Sequence, residues 1–166
     1  MLAAFKNTTI TGLQRQLVQI QEMELNFWIR TFKTLTIESA LLCGFSFGGL
    51  AAIQEYKGQV RFLNMLYLVA TASSMGFGLC CITTCSFCLM LGPGKALRAN
   101  SIDVIDVTIG ILKEKSFLAF YFFILELFCF HISSLMLMWI VYSPFVAFIV
   151  NLVLLAFLLQ FTSEGY

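Results

Sequence analysis

Three ionisable residues, Glu38, Glu126 and His131, lie inside long apolar runs of this sequence. An ionisable side chain in the hydrocarbon of a membrane costs about 3 kcal/mol or more, so such residues mark candidate sites. The functional interpretations are a proton relay, an ion site or a ligand to a cofactor. The structural interpretation, which we favour, is that each side chain is satisfied by a polar group of another helix.

Glu126 and His131 do not form an obvious pair. They are five residues apart in the sequence, which places them about 140° apart around a helix. Ser134 follows His131 by nearly one turn, and this spacing suggests a local hydrogen bond between them. Asn151, in the middle of the last apolar run, is predicted to make an interhelical hydrogen bond and needs no other role.

Four of the six cysteines lie in one apolar run, at Cys80, Cys81, Cys85 and Cys88. Cys85-Ser-Phe-Cys88 has the C-x-x-C form found in redox and zinc sites. Such sites need accessible, electropositive surroundings or further ligands, whereas the residues around these cysteines are mainly apolar. Because a free cysteine behaves as a small apolar residue, we interpret the four as packing residues.

Motifs of known enzymes are absent from the sequence. We find no Gly-rich phosphate loop, no G-x-S-x-G and no H-E-x-x-H. The chain has one histidine, which excludes a two-histidine metal or haem site within it. The sequence therefore predicts a protein that is not an enzyme and that holds neither a cofactor nor a metal.

The elements that must position these residues are membrane helices. Hydrophobic residues make up 60% of the 166 positions and charged residues 11%, whereas about 25% of a soluble domain is charged. A water-soluble fold of this size cannot bury so much apolar surface. A net charge of +1 and the lack of a basic run argue against a nucleic-acid partner. We predict an all-α polytopic protein, a single membrane domain over residues 1–166 with the lipid bilayer as its surroundings.

Four apolar runs are long enough to cross a bilayer, which takes about 20 residues. They cover about residues 34–54, 62–91, 117–142 and 144–161. Gly92-Pro93-Gly94 is a turn signal that predicts the end of the second helix. Ser143-Pro144 is suited to a helix N-cap and first helical position, so the last two runs should form a tight antiparallel hairpin.

The distribution of lysine and arginine predicts the orientation of these four spans. The side that holds both termini and the second connection carries eight basic residues: Lys6, Arg15, Arg30, Lys33, Lys95, Arg98, Lys113 and Lys115. The opposite side carries only Lys57 and Arg61. By the positive-inside rule, both termini should lie on the cytoplasmic side, or in the matrix of a mitochondrion. The sequence does not identify the membrane.

Two segments outside these runs have amphipathic patterns. In the N-terminal segment 1–33, apolar residues recur at helical spacing: Leu13, Leu17, Ile20, Met23 and Phe27. Between spans two and three, a second stripe consists of Ile102, Ile105, Ile109 and Leu112. Each segment is predicted to be a short helix that either rests in the membrane interface or docks onto a partner.

Small residues recur every four positions in span one, at Ala40, Gly44, Gly48 and Ala52. Span two repeats the pattern at Ala70, Ser74 and Gly78. Such faces allow another helix backbone to approach closely. They predict close helix packing, either within this chain or with another chain.

The stretch Ser39-Ala40-Leu41-Leu42-Cys43-Gly44-Phe45 resembles the first transmembrane helix of Orai calcium channels. The four-span layout, the long second span and Trp139 near the end of span three are similar as well. The resemblance implies a homo-oligomeric cation channel in which span one lines the pore. Counted from the shared Gly-Phe, the selectivity glutamate of the family falls on Ala52, with Gln54 and Glu55 nearby, and its gate valine falls on Gly48.

Two functional classes follow from these observations. The first is a non-catalytic accessory subunit of a larger membrane complex of the respiratory, photosynthetic or ATP-synthase type, which the small size, short loops and lack of enzyme motifs favour. The alternative is an Orai-like channel subunit, with Gln54 and Glu55 at the pore mouth. They differ in stoichiometry, because a pore needs several identical copies around an axis.

Overall fold

The computed structural model describes residues 2–53, 61–97 and 102–164. Over these ranges the chain forms four α-helices and is all-α, as the sequence predicts. The helices are α1 (Leu2–Ala52), α2 (Arg61–Leu97), α3 (Ile102–Val141) and α4 (Pro144–Glu164).

Three of the helices contain stretches long and apolar enough to cross a membrane. These stretches are Gln16–Ala51, Phe62–Gly92 and Val107–Val141. The apolar part of α4, Pro144–Gln160, is shorter. The chain therefore has the helices of an integral membrane protein, and the fourth crossing stays a prediction.

The helices are longer than the sequence predicts. The N-terminal segment is continuous with the first apolar run in α1, and the segment beginning at Ile102 is continuous with the third run in α3, so neither is a separate short helix. At about 1.5 Å per residue, the 40 residues of α3 extend about 60 Å, twice the hydrocarbon thickness of about 30 Å.

The prediction that the second helix ends at Gly92-Pro93-Gly94 is wrong, because α2 continues through this sequence to Leu97. Packing against α3 explains the difference. Gly92 is buried, and a Cβ at this position would lie 3.3 Å from the side chain of Leu112. Gly and Pro are tolerated in membrane helices, and the contact with Leu112 holds this part of α2 against α3.

The predicted break between the last two runs is confirmed. α3 ends at Val141 and α4 begins at Pro144. The Ala147 amide donates to the Ser143 carbonyl over 3.0 Å, which makes Ser143 the residue that precedes the first turn of α4. Two cavities are lined by residues of both α3 and α4. Phe128 and Leu158, both far from the turn, line one cavity, and Trp139 and Phe148, both nearer to the turn, line the other. The two helices therefore form an antiparallel hairpin.

The chain divides into two compact units, to which α1, α2 and α3 each contribute a segment. Unit 1 consists of Met1–Glu38 and Cys80–Phe122, and unit 2 of Ser39–Leu79 and Phe123–Tyr166. Unit 2 contains Glu126, His131 and Asn151, and unit 1 contains the four clustered cysteines.

Buried positions along the helices recur with an average spacing of 3.5 residues. On α2 they alternate in steps of four and three: Tyr67, Thr71, Ser74, Gly78, Cys81, Cys85, Cys88 and Gly92. On α3 every seventh residue is buried: Leu112, Ala119, Glu126, Ser133 and Ile140. On α1 the positions Phe32, Leu35, Ser39 and Ser46 follow the same rule. This average spacing places the buried positions of each helix on one stripe, and the many small side chains on it permit close approach.

The two predicted amphipathic stripes have different surroundings. Leu17, Ile20, Met23 and Phe27 on α1 are exposed, so this stripe does not pack within the described chain. Ile109 and Leu112 on α3 are buried, so that stripe packs within unit 1.

Candidate functional site

Glu126 is fully buried, with none of its surface exposed. It lies on the buried stripe of α3 and points its carboxyl at α1. Oε2 is 2.5 Å from the Ser39 hydroxyl, and the Cys43 thiol donates to Oε1 over 3.5 Å. Ser39 and Cys43 are four residues apart on α1, so consecutive turns of one helix face each supply a partner.

Gly78 on α2 makes room for this carboxyl. A Cβ at Gly78 would collide with the Glu126 carboxyl and with the Cys43 sulfur. The Gly78 carbonyl is 3.2 Å from the Ser39 hydroxyl, and the Ser74 hydroxyl donates to the Glu126 carbonyl over 3.2 Å. We call Ser39, Cys43, Ser74, Gly78 and Glu126 the Glu126 cluster; it joins α1, α2 and α3 within unit 2.

The hydrogen atoms of the Glu126 cluster can be counted. The Ser39 hydroxyl has one hydrogen but contacts two acceptors, the Glu126 carboxyl and the Gly78 carbonyl. If the carboxyl carries a proton, Glu126 donates to Ser39 and Ser39 donates to Gly78, since a hydroxyl both donates and accepts. Both contacts then have a hydrogen, and no unpaired charge is buried. The geometry therefore favours a neutral carboxyl.

Two further polar contacts continue the same interfaces. The Ser46 and Ser74 hydroxyls are 3.4 Å apart, and the Thr71 and Ser133 hydroxyls are 2.6 Å apart. Thr71 and Ser133 are buried, and Ser133 follows Glu126 by seven residues on the α3 stripe. Polar contacts at consecutive levels of packed membrane helices fix which residues face each other.

The hydrogen bonds of the Glu126 cluster join three helices. Its carboxyl bonds to a serine and a cysteine. In the parts of the chain that the structure describes, no group of three or more His, Cys, Asp or Glu side chains could hold a metal ion. A relay or an ion site would need further titratable groups or ligands in sequence along the helices. The contacts agree with the structural interpretation of Glu126.

His131 and Ser134 do not bond to each other. His131 Nδ1 is 2.9 Å from the Leu127 carbonyl, and the Ser134 hydroxyl donates to the Phe130 carbonyl over 2.9 Å. Each side chain bonds to a backbone carbonyl in the preceding turn of α3. The spacing of His131 and Ser134 is compatible with these bonds and with the predicted bond between the two side chains, so spacing alone does not decide between them. His131 is half-buried and lines a cavity of about 230 Å³ that is otherwise apolar.

Asn151 makes the interhelical hydrogen bond predicted for it. Its Nδ2 donates to the Leu135 carbonyl over 3.4 Å, which ties α4 to α3. Its Oδ1 is buried and has no hydrogen-bond partner among the described residues. Asn151 therefore stabilises the hairpin with one of its two polar atoms.

Other predicted site residues lie apart from the Glu126 cluster. Glu38 is exposed although it precedes the buried Ser39, since adjacent residues point about 100° apart on a helix. Gln54 and Glu55, the predicted pore mouth, lie outside the described residues. Cys81, Cys85 and Cys88 are buried on the α2 stripe, as the packing interpretation predicts. Cys80 is exposed, so that interpretation does not hold for it within the described chain.

The two small-residue faces have opposite environments. Ser74 and Gly78 on α2 are buried, whereas Ala40, Gly44 and Gly48 on α1 are exposed. A Cβ at Gly44 or Gly48 would meet nothing within 4 Å. The side chain of Ala52 lies outside the part of the chain that the structure describes. The α1 face that Ala40, Gly44 and Gly48 define is thus exposed, with open space next to both glycines.

Glu126 can be identified from the sequence as an ionisable residue in an apolar run, whereas its partners Ser39, Cys43 and Gly78 are brought to it only by the fold. Alternating steps of four and three link Ser74, Gly78, Cys81, Cys85 and Cys88. The small residues and the cysteines of α2 therefore belong to one continuous buried stripe.

Comparison with known proteins finds no matching family model, no matching curated protein and no matching solved structure.

Proposed function

We propose that this chain is a non-catalytic integral membrane subunit that acts through helix packing within a larger membrane complex. The observation that carries the proposal is the exposed α1 face at Ala40, Gly44 and Gly48, which has open space next to both glycines. The opposite side of α1 carries Ser39, Cys43 and Ser46, which bond to α2 and α3. α1 is therefore packed on one side and open on the other.

Glycines on an open helix face need a reason. A glycine inside a helix costs about 1 kcal/mol relative to alanine, and contact with lipid gives no compensating gain. In a membrane, association comes mainly from close packing and hydrogen bonds, which small residues allow. A helix of another chain on the Gly44–Gly48 face would supply that gain.

The Glu126 cluster supports a structural role over a catalytic one. Its hydrogen bonds are made within the chain and join three helices. A partner subunit would thus meet a preassembled surface. Small size, short connections and the lack of enzyme motifs favour an accessory subunit among different chains, as in respiratory, photosynthetic or ATP-synthase assemblies.

The proposed topology has four crossings, with both termini on the cytoplasmic or matrix side. α4 has 21 residues, about 31 Å, which is close to the length that a crossing needs. Most of its large apolar side chains are exposed, among them Phe145, Phe148 and Phe157, as expected for a helix in contact with lipid. The eight-to-two distribution of basic residues supports the sidedness.

A homo-oligomeric Orai-like cation channel is the second candidate. Gly48, where the resemblance places the gate of that family, is exposed on α1, and so are Leu41 and Phe45 of the resembling stretch. These positions face away from α2 and α3, so identical copies could bring them together around an axis. The subunit would then be a pore-forming one.

Native mass spectrometry of the particle extracted in mild detergent tests both candidates. One copy of this chain among several different chains supports the accessory subunit. A homo-oligomer without other proteins overturns it in favour of the channel. A monomer that retains no partner contradicts both candidates.

Gly44→Leu tests the proposed contact face. The substitution meets open space within the chain, so the subunit should fold, but the leucine should keep a partner helix away and release the subunit from its complex. Gly76→Leu is the matched control, since Gly76 is also exposed with nothing within 4 Å but lies on α2. Unchanged co-purification of the Gly44→Leu variant would show that this face is not the interface.

A further inference from the structure

A cavity of about 290 Å³ lies between α2 and α3 in unit 1. Cys88 and Leu112 are buried in its wall, whereas Phe87 is exposed at its edge. Its lining is apolar except for Thr84, Thr108, Cys88 and one charged side chain, that of Lys115. The cavity therefore combines an apolar interior with a single cation.

The position of Lys115 along α3 relates this cavity to the bilayer. Residues 116–125 directly after Lys115 carry no charge, whereas Lys113, Glu114 and Lys115 form a run of three exposed charged residues. Because α3 is about twice as long as the hydrocarbon is thick, its charged part lies outside the hydrocarbon and its uncharged part inside. Lys115 is then at the boundary, where lipid headgroups meet acyl chains.

We propose that this cavity holds one acyl chain of a glycerophospholipid whose anionic headgroup pairs with Lys115. The acyl chain contacts the apolar wall formed by Phe87, Leu91 and Leu118, and the headgroup phosphate lies against the lysine ammonium. Basic pockets between membrane helices on the cytoplasmic or matrix side are suited to anionic headgroups. The sequence predicts that this end of α3 is on that basic-rich side.

Size and charge favour this occupant over others. A volume of about 290 Å³ lies just below the usual range of ligand pockets, which is about 300 to 1,000 Å³. A second helix, about 10 Å across, is too wide for it. A free inorganic anion would pair with Lys115 but would gain nothing from the apolar interior.

A tryptophan reporter in the cavity tests the proposal on the full chain in lipid vesicles. Phe87→Trp places an indole in the cavity wall, and Phe145→Trp places one on the exposed side of α4 as a report on bulk lipid. The probes are phosphatidylserine and phosphatidylcholine with brominated acyl chains, which quench the indole on contact. Signal from the native tryptophans is subtracted by using the unsubstituted chain.

The proposal predicts that brominated phosphatidylserine quenches the Phe87→Trp reporter more than phosphatidylcholine does, while the Phe145→Trp reporter responds equally to both. Lys115→Gln should lower the phosphatidylserine preference about fivefold, as loss of one lysine–headgroup attraction implies. Lys113→Gln is the matched control because it removes the same charge from an exposed residue outside the cavity lining, and it should leave the preference in place. Thr84→Phe, which fills the cavity from α2, should reduce quenching by either lipid.

Three outcomes would overturn the proposal. The first is equal lipid preference at the two reporters, which would mean that the cavity does not select lipid. The second is an equal effect of Lys115→Gln and Lys113→Gln on the phosphatidylserine preference, which would mean that Lys115 acts only through general surface charge. The third is unsubstituted protein that retains no anionic lipid in native mass spectrometry, a measurement that does not depend on the reporter variants.

Discussion

Replacing Glu126 separates the structural role of its side chain from a role that requires negative charge. Glu126→Gln keeps the shape and the neutral hydrogen-bond pattern: the amide donates to Ser39, Ser39 donates to Gly78, and the amide oxygen accepts from Cys43. We expect a change of no more than about 1 kcal/mol in the free energy of unfolding, the net value of a single hydrogen bond.

Glu126→Ala removes the hydrogen bonds and leaves unfilled space at a fully buried position. Two lost hydrogen bonds contribute about 1 kcal/mol, at about 0.6 kcal/mol each for polar contacts between membrane helices. The cavity contributes about 2 kcal/mol, the low end for large-to-small substitutions, because lipid reduces the part that depends on transfer from water. The expected loss is therefore about 3 kcal/mol.

The assay is unfolding of the purified chain by titration of a denaturing detergent, followed by circular dichroism. Ser39→Ala completes a double-mutant cycle, whose coupling with Glu126→Ala should be about 0.6 kcal/mol and at most about 1.7 kcal/mol. If Glu126→Gln destabilises as much as Glu126→Ala, the neutral-carboxyl interpretation is refuted. The carboxylate charge would then be required, and an ion or proton site at Glu126 would become the better interpretation.

The other predictions concern the packing around the same cluster. Gly78→Ala should destabilise the chain by about 1–3 kcal/mol, because the added methyl group collides with the Glu126 carboxyl and overpacks the interface. The control Gly76→Ala meets open space and should be neutral or stabilise by up to about 1 kcal/mol. The same detergent titration measures both variants. Thr71→Val removes the 2.6 Å contact with Ser133 and should cost about 0.6–1.7 kcal/mol. A Thr71→Val effect that is unchanged when Ser133→Ala is also present would show that the two hydroxyls are not coupled.

The all-α architecture and the apolar helices could be predicted from the sequence because they depend on local chemistry. A composition of 60% hydrophobic residues indicates that the helices are surrounded by lipid, and the length of each apolar run indicates whether it can form a spanning helix. The Ser143-Pro144 break was also readable, since a cap residue followed by proline restricts the backbone whatever surrounds it. Lys113 and Lys115 have similar sequence surroundings, and only the fold shows that Lys115 lines a cavity.

The end of the second helix could not be predicted, because its turn signal competes with a tertiary contact. Gly92-Pro93-Gly94 would end an isolated helix, but Leu112 packs at 3.3 Å from where a Gly92 Cβ would lie, and α2 continues. The preference for a turn depends on residues 92–94 alone, whereas the contact brings together residues 20 positions apart. The local turn preference of residues 92–94 therefore does not reveal that a contact with Leu112 outweighs it.

Small residues at four-residue spacing predict close helix approach from the sequence alone, but which of them pack depends on how the helices meet in the fold. Ser74 and Gly78 pack around Glu126, whereas Gly44 and Gly48 remain open. The physical reason is that lipid and protein interiors are similarly apolar, so hydrophobic periodicity does not mark the packed side of a membrane helix. That side is determined by which helices face each other, and for Glu126 this means the meeting of α1, α2 and α3 at Ser39, Gly78 and Cys43.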